Sequence, residues 1–234
     1  MSAPKFFRKL LDFCFPPRCS LCNVLISSEQ CVCEKCDDLL FALDAIQATK
    51  VENARFCGDC TAPFLYEDRV RRLLLDFKFR GRVQYGAFFG AKMAQALALR
   101  GVADEFDLVT CVPISRRRMR ERGYDQAEVL ARKTAQLLGL RYISCLMKVG
   151  ENQVQHKLNI IERSENVKNM YKVLNKSLVF GKKIVLIDDI VTTGSTMAEC
   201  GAVLMEGGAS DVICGAVAFR ALEKDKKTAP IFDF

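Results

Sequence analysis

Apolar and polar positions follow two different rhythms along this chain. Over residues 69–79, Leu73, Leu74 and Phe77 fall on one helical face and Arg69, Arg72 and Arg80 near the other, predicting an amphipathic helix that ends near Gly81. A second helix, rich in Ala, Leu and Met, is expected over residues 84–100, closed by Gly101. A third spans 124–138 and ends at Gly139, and a fourth runs from Ser195 to Glu206 before Gly207 and Gly208. Short apolar runs at Asp107–Pro113, Ile184–Asp188 and Asp211–Phe219 fit buried strands, and residues 141–147 suggest another. Residues 150–171 are polar and aperiodic and read as a mobile loop with a short helix around Ile160–Asn166, while Leu222–Phe234 reads as a tail. Strands alternating with helices predict an α/β fold, a parallel sheet with helices on both faces. Ligands of such sheets bind beyond the carboxyl ends of the strands.

Residues 1–63 break this rhythm. They are short, irregular and Cys-rich, which predicts a small domain of their own, with the second domain over 64–234. Eight of the twelve cysteines lie in the first 60 residues; Cys111, Cys145, Cys200 and Cys214 are scattered through apolar stretches and read as small core residues. A secreted disulfide framework fits badly, because the chain is too large to need staples and its start lacks an apolar leader. The clustered cysteines instead indicate a metal site in a reducing compartment. Cys19-x₂-Cys22 and Cys33-x₂-Cys36 are two knuckle-type pairs ten residues apart, and four thiolates close a tetrahedral Zn²⁺ site of structural type. Cys33 and Cys36 with Cys57 and Cys60 would also fit. No apolar run reaches the ~18 residues of a membrane span. With 35 Lys and Arg against 28 Asp and Glu the formal charge is +7, which permits a polyanionic ligand without demanding one.

The most informative stretch is Lys183–Met197, KIVLIDDIVTTGSTM. A strand running into Asp188 and Asp189 puts two carboxylates at the edge of the sheet, suited to a sugar diol or a hydrated Mg²⁺. Thr192, Thr193, Gly194, Ser195 and Thr196 follow, small residues whose backbone N–H groups can converge on an anion at a helix start. A diol site beside a phosphate site matches a ribose 5-phosphate. No Gly-Lys-Ser/Thr follows, so the segment is not a Walker A loop. Past the strand at Asp107–Pro113, Ser115 opens a basic loop in which Arg116, Arg117, Arg118, Arg120 and Arg122 suit phosphate or pyrophosphate. The lone His156 reads as a solvated loop residue.

Lys183–Met197 resembles the phosphoribosyl-pyrophosphate motif of type I phosphoribosyltransferases. VPISRRRMRERGYDQAE at 112–128 resembles the signature of the ComF competence-protein family, whose usual form is an Arg-rich run and then Arg-Gly-Phe-Asn-Gln-Ala. YEDRVRRLLLDFKFRGR at 66–82, the block containing Gln155, Leu158, Arg163, Asn166 and Val167, and the opening Pro16-Pro17-Arg18-Cys19-x₂-Cys22 also resemble that family. Asp125 departs from it, standing where Asn is usual and adding a negative charge beside the arginines. The resemblance implies a type I phosphoribosyltransferase fold behind an N-terminal zinc ribbon. It implies that Asp188 and Asp189 hold the ribose hydroxyls, that Thr192–Thr196 hold the 5′-phosphate, and that the loop of Ser115, Arg116 and Arg117 meets the pyrophosphate. It assigns the zinc to Cys19, Cys22, Cys33 and Cys36, leaving Cys57 and Cys60 as a relict, a rearranged site or a redox-active pair. It further implies Mg²⁺ with phosphoribosyl pyrophosphate, a cytoplasmic location, and a role in uptake of single-stranded DNA. A non-catalytic protein that binds nucleic acid or senses a nucleotide is the alternative.

Overall fold

A computed structural model describes residues 16–40, 47–50, 59–149 and 170–220, with backbone alone over 47–50. The expected helix near Ile160, Cys14, Cys57, His156 and the tail lie outside the described residues. The chain divides into two units, Met1–Leu43 and Asp44–Phe234. In the first unit, Arg18 and Leu25 form an antiparallel bridge, Cys19 N–H donates to Val24 and Ser20 N–H to Cys31. Asn23 takes a φ of 66°, a left-handed value that Asn tolerates, so the chain doubles back just after Cys22. Helix α1, Glu34–Leu40, follows and buries Cys36 and Leu40.

The second unit contains β1 (Gln47–Lys50), β2 (Asp59–Ala62), β3 (Phe64–Leu65), α2 (Asp68–Phe79), α3 (Tyr85–Ala98) and α4 (Val102–Glu105). Then come β4 (Leu108–Cys111), α5 (Arg116–Arg122), α6 (Gln126–Leu138), β5 (Arg141–Tyr142), β6 (Leu146–Lys148) and β7 (Tyr171–Val173). It ends with β8 (Lys183–Val191), α7 (Ser195–Glu206) and β9 (Asp211–Phe219). The main sheet has the order β1-β2-β9-β8-β4-β5, with β3 also on β9. Every pair in it is parallel except β1–β2. Strands β6 and β7 form a separate antiparallel ribbon. The stretch expected as one strand over 141–147 is therefore two short strands in different sheets. The divide at 43/44 also differs from the expected 63/64. Buried Cys60, Ala62 and Phe64 complete the sheet of the second unit, with Cys60 in register with Cys214.

Side chains alternate across the sheet. Leu186, Val212 and Cys214 join Met197, Cys200 and Leu204 of α7 in one core. On the other face, Gly215 lies against Ile187 and against Met93 and Leu97 of α3. There α3 and α6 pack closely: a Cβ on Gly86 would lie 2.3 Å from Val129 Cγ1, and one on Gly90 2.7 Å from Lys133 Cβ. Cys111, Cys145, Cys200 and Cys214 are all buried as expected.

The run of arginines is helical, not a loop. Ser115 caps α5 by accepting the Arg118 N–H (3.3 Å), Arg117 pairs with Glu121 one turn on, and Gly123 ends the helix at a φ of 78°. The next three residues tie the ligand edge together. Tyr124 hydroxyl donates to the Phe77 carbonyl in the last turn of α2. Asp125 caps α6, one oxygen accepting from Glu128 N–H (3.2 Å) and the other from Ile114 N–H (3.1 Å). Gln126 accepts from Arg122 (2.7 Å). Burial raises Asp125 above the ordinary carboxylate range, against those backbone donors. An amide has one acceptor, so Asp125→Asn would set an NH₂ against a backbone N–H. The expected loss is about 1–3 kcal/mol, read as a lower thermal midpoint; an unchanged midpoint would contradict this role.

Candidate functional site

The acid pair lies within strand β8, which runs on past the expected end at Asp188 because β9 pairs with it as far as Val191–Phe219. Alternation turns the two neighbours apart. Asp189 Oδ2 meets Lys78 Nζ of α2 at 2.9 Å, both side chains mostly buried. Asp188 accepts the Asp189 N–H (2.8 Å), and its charge is felt by Tyr171 and by Cys200 of α7. Burial first, and the Asp189 charge second, push the Asp188 carboxyl up.

After Val191 the chain turns through Thr192, Thr193 and Gly194 into α7. Gly194 holds a φ of 73°, a conformation costly for residues with a Cβ, and its carbonyl accepts the Ala198 N–H. Thr193 and Ser195 hydroxyls are 2.8 Å apart. The turn thus opens a twelve-residue helix whose first N–H groups have no intrahelical carbonyl partner.

A cavity of about 330 Å³ lies at this edge, lined by Asp188, Asp189, Thr192 and Thr196. Arg118 and Arg122, one turn apart on α5, also line it, with Lys78, Lys148 and Arg220. Tyr66 and Tyr171 add aromatic wall. Arg122 is desolvated, which lowers it, though Asp189 and Asp125 act the other way. Five cations and two carboxylates thus share the lining of a small volume. Of the residues singled out from sequence, Thr193, Gly194 and Ser195 shape the turn without lining the cavity. Ser115 caps α5, Arg116 is exposed, and Arg117 is spent on Glu121 outside the cavity lining. Arg118 and Arg122 line it because α5 is a helix. Lys78, Lys148 and Arg220 were not singled out for this site, and Lys78 lies in the Lys-Phe-Arg-Gly block at 78–81.

The cysteine cluster belongs to the first unit. The Sγ atoms of Cys19, Cys22, Cys33 and Cys36 all lie within 4.8 Å of one another, and Cys22 and Cys33 are 3.6 Å apart. A tetrahedral Zn²⁺ with bonds of ~2.3 Å needs sulfurs ~3.8 Å apart, so the donor set fits that ion. Burial raises Cys19, but backbone N–H groups of Cys22, Cys33 and Leu21 outweigh it and leave the thiol lowered. Cys60 takes no part: it is buried in the second unit, its Sγ 3.7 Å from Met197 Sδ.

Comparison with known proteins gives a consistent picture. A model of the phosphoribosyl transferase domain matches residues 124–233. The chain is 31% identical to the DNA utilization protein YhgH of Salmonella typhimurium, over 63% of this chain and 66% of that one. It is 28% identical to Competence protein ComFC of Streptococcus pneumoniae, over 81% of this chain and 88% of that one. It is 27% identical to Competence protein F of Haemophilus influenzae, over 63% and 66%. With YhgH of Salmonella typhi the match spans 46% of the relative, so the chain covers only about half to two thirds of the YhgH proteins it resembles. Among solved structures, adenine phosphoribosyltransferase of Thermoanaerobacter pseudethanolicus is 16% identical, over 60% of this chain and 83% of that one, with a TM-score of 0.38. Among the described residues no helix is long and apolar enough to cross a membrane. With its parallel sheet, its phosphoribosyl transferase domain and relatives that carry the competence names, the chain belongs to the ComF competence-protein family.

Proposed function

We propose that the second unit binds phosphoribosyl pyrophosphate with Mg²⁺ and acts as a phosphoribosyltransferase. The observation that carries this is the cavity whose lining brings together an acid pair, a helix-opening hydroxyl turn, arginines and lysines. Asp188 and Asp189 accept hydrogen bonds from the 2′- and 3′-hydroxyls of the ribose. The turn from Thr192 to Thr196 takes the 5′-phosphate on its backbone N–H groups and hydroxyls. Arg118 and Arg122 take the pyrophosphate, a role expected from sequence for Ser115, Arg116 and Arg117; Ser115 serves it by capping the helix that aims the two arginines. The carboxylate oxygens of Asp188 and Asp189 are hard donors that would hold Mg²⁺, which supplies charge neutralisation of the pyrophosphate when bound. An acceptor then forms a bond to C1 of the ribose as the C1–oxygen bond breaks and pyrophosphate leaves. The arginines stabilise the charge developing on that leaving group, so positioning and electrostatics carry the rate.

We take this chemistry to serve DNA utilization or competence, the words that the relatives' names carry, with single-stranded DNA as a partner in uptake. A specific observation favours a strand-binding reading as well: Phe79 is exposed beside the cavity, with the Arg122 guanidinium 5.1 Å from its ring centroid, next to exposed Arg80 and Arg82. Exposed aromatics with arginines suit base stacking. The Cys19, Cys22, Cys33 and Cys36 cluster holds a structural Zn²⁺.

Calorimetric titration with phosphoribosyl pyrophosphate and Mg²⁺ tests the ligand. Wild type is expected to bind in the micromolar range, and Asp188→Asn/Asp189→Asn to lose binding by about 100-fold or more; absence of binding by folded wild type would overturn the reading. Metal analysis tests the ribbon. Purified wild type is expected to carry stoichiometric zinc and Cys22→Ser/Cys33→Ser to lose it; equal zinc in both would contradict the assignment.

A further inference from the structure

Lys78 is the only cation of the cavity wall, among the described residues, for which the structure gives an ion pair with one of the two acids. It reaches Asp189 from the last turn of α2, one turn on from buried Leu74 and next to buried Phe77. Its place is fixed by the rest of the edge. Tyr124 hydroxyl holds the Phe77 carbonyl, and the Phe77 ring lies against Tyr124 and Phe89, with centroids 5.8 and 6.3 Å apart. The ammonium therefore sits on the carboxylate that a divalent cation or a ribose hydroxyl needs. A bare cation entering the cavity also meets Arg118, Arg122, Lys148 and Arg220.

We propose that Lys78 is a specificity-determining latch on the acid pair: it blocks divalent cations that arrive alone and is drawn off Asp189 by the phosphate groups of the ligand. The inference rests on the ligand reading above. An anion with several phosphate oxygens neutralises the arginine wall and offers Lys78 a second acceptor, so Asp189 is released only when that anion is present. Cation and polyphosphate then bind with positive coupling, and each raises the affinity for the other by the same factor. Lys78 remains near enough to pair with the phosphates after release, because its stem is held by a pinned helix. The device keeps the site from filling with metal that has no substrate to serve.

Titration with Mn²⁺, followed by electron paramagnetic resonance of the free ion, reads this directly on the full zinc-loaded chain. Without phosphoribosyl pyrophosphate, wild type is expected to bind Mn²⁺ weakly, and Lys78→Met to bind it about tenfold or more tightly. Lys78→Arg, which keeps the charge, is expected to stay weak, and Lys78→Met/Asp189→Asn to lose the gain. With the ligand present, the Mn²⁺ affinity of wild type is expected to rise, and the rise to shrink in Lys78→Met. Equal Mn²⁺ affinity of wild type and Lys78→Met, or a gain that survives Asp189→Asn, would overturn the latch. Lys78→Arg separates a lost charge from a damaged fold: if it gains Mn²⁺ affinity as Lys78→Met does, the latch is overturned too. Failure of wild type to bind phosphoribosyl pyrophosphate would instead overturn the ligand reading, with the Mn²⁺ comparison still standing as a test of the ion pair.

Discussion

Consecutive carboxylates at the end of a buried strand repel each other and lose water together, so a fold that keeps them must bring cations to them from elsewhere. Here β8 supplies Asp188 and Asp189, and the cations come from separate elements: Lys78 from α2, Arg118 and Arg122 from α5, Lys148 from β6 and Arg220 from just after β9. The Gly123–Gln126 stretch keeps those elements in place. It ends α5, holds the last turn of α2 through Tyr124, caps α6 through Asp125 and engages Arg122 through Gln126. Most of that stretch is scaffolding for charge. Its polar atoms meet backbone groups and one arginine at a distance from the acids they serve.

The helices were legible where a single periodic face met a glycine stop, as with Ser195–Glu206, because the period and the stop are both local. Strand β9 was legible as an uninterrupted apolar run. Strand β2 was not, because Cys60 looked like half of a metal knuckle; only its pairing with Cys214 turns that thiol into a core residue. The charge density of 116–122 suggests a loop, but the Ser115 cap, the Arg117–Glu121 spacing and Gly123 are local helix signals. The helix decides which arginines reach the site. A helix presents residues four apart on one face, so Arg118 and Arg122 share the cavity while Arg116 and Arg117 do not. The Lys78–Asp189 pair had no local signal at all, since it joins two elements far apart in sequence.

Asp125 illustrates how a departure from a family pattern takes its meaning from geometry. From sequence it was an added negative charge beside arginines. In the fold its two oxygens answer two backbone donors, one at the start of α6 and one at Ile114, beside the cavity. A carboxylate meets both requirements where an amide meets one. The first unit follows a different economy: among its described residues the buried apolar ones are Cys19, Cys31, Val32, Cys36 and Leu40, and four convergent thiols supplement that small core.

On the proposed reading, the acid pair, the hydroxyl turn and the arginine face of α5 form one site for a phosphorylated, pyrophosphate-bearing ribose. A crystal structure of the full chain with phosphoribosyl pyrophosphate and Mg²⁺ tests it most directly. The 5′-phosphate is expected on the backbone of Thr192–Thr196, the ribose hydroxyls on Asp188 and Asp189, and the pyrophosphate between Arg118 and Arg122. A ligand bound with its phosphates away from that turn, or with its pyrophosphate out of reach of both arginines, would contradict it.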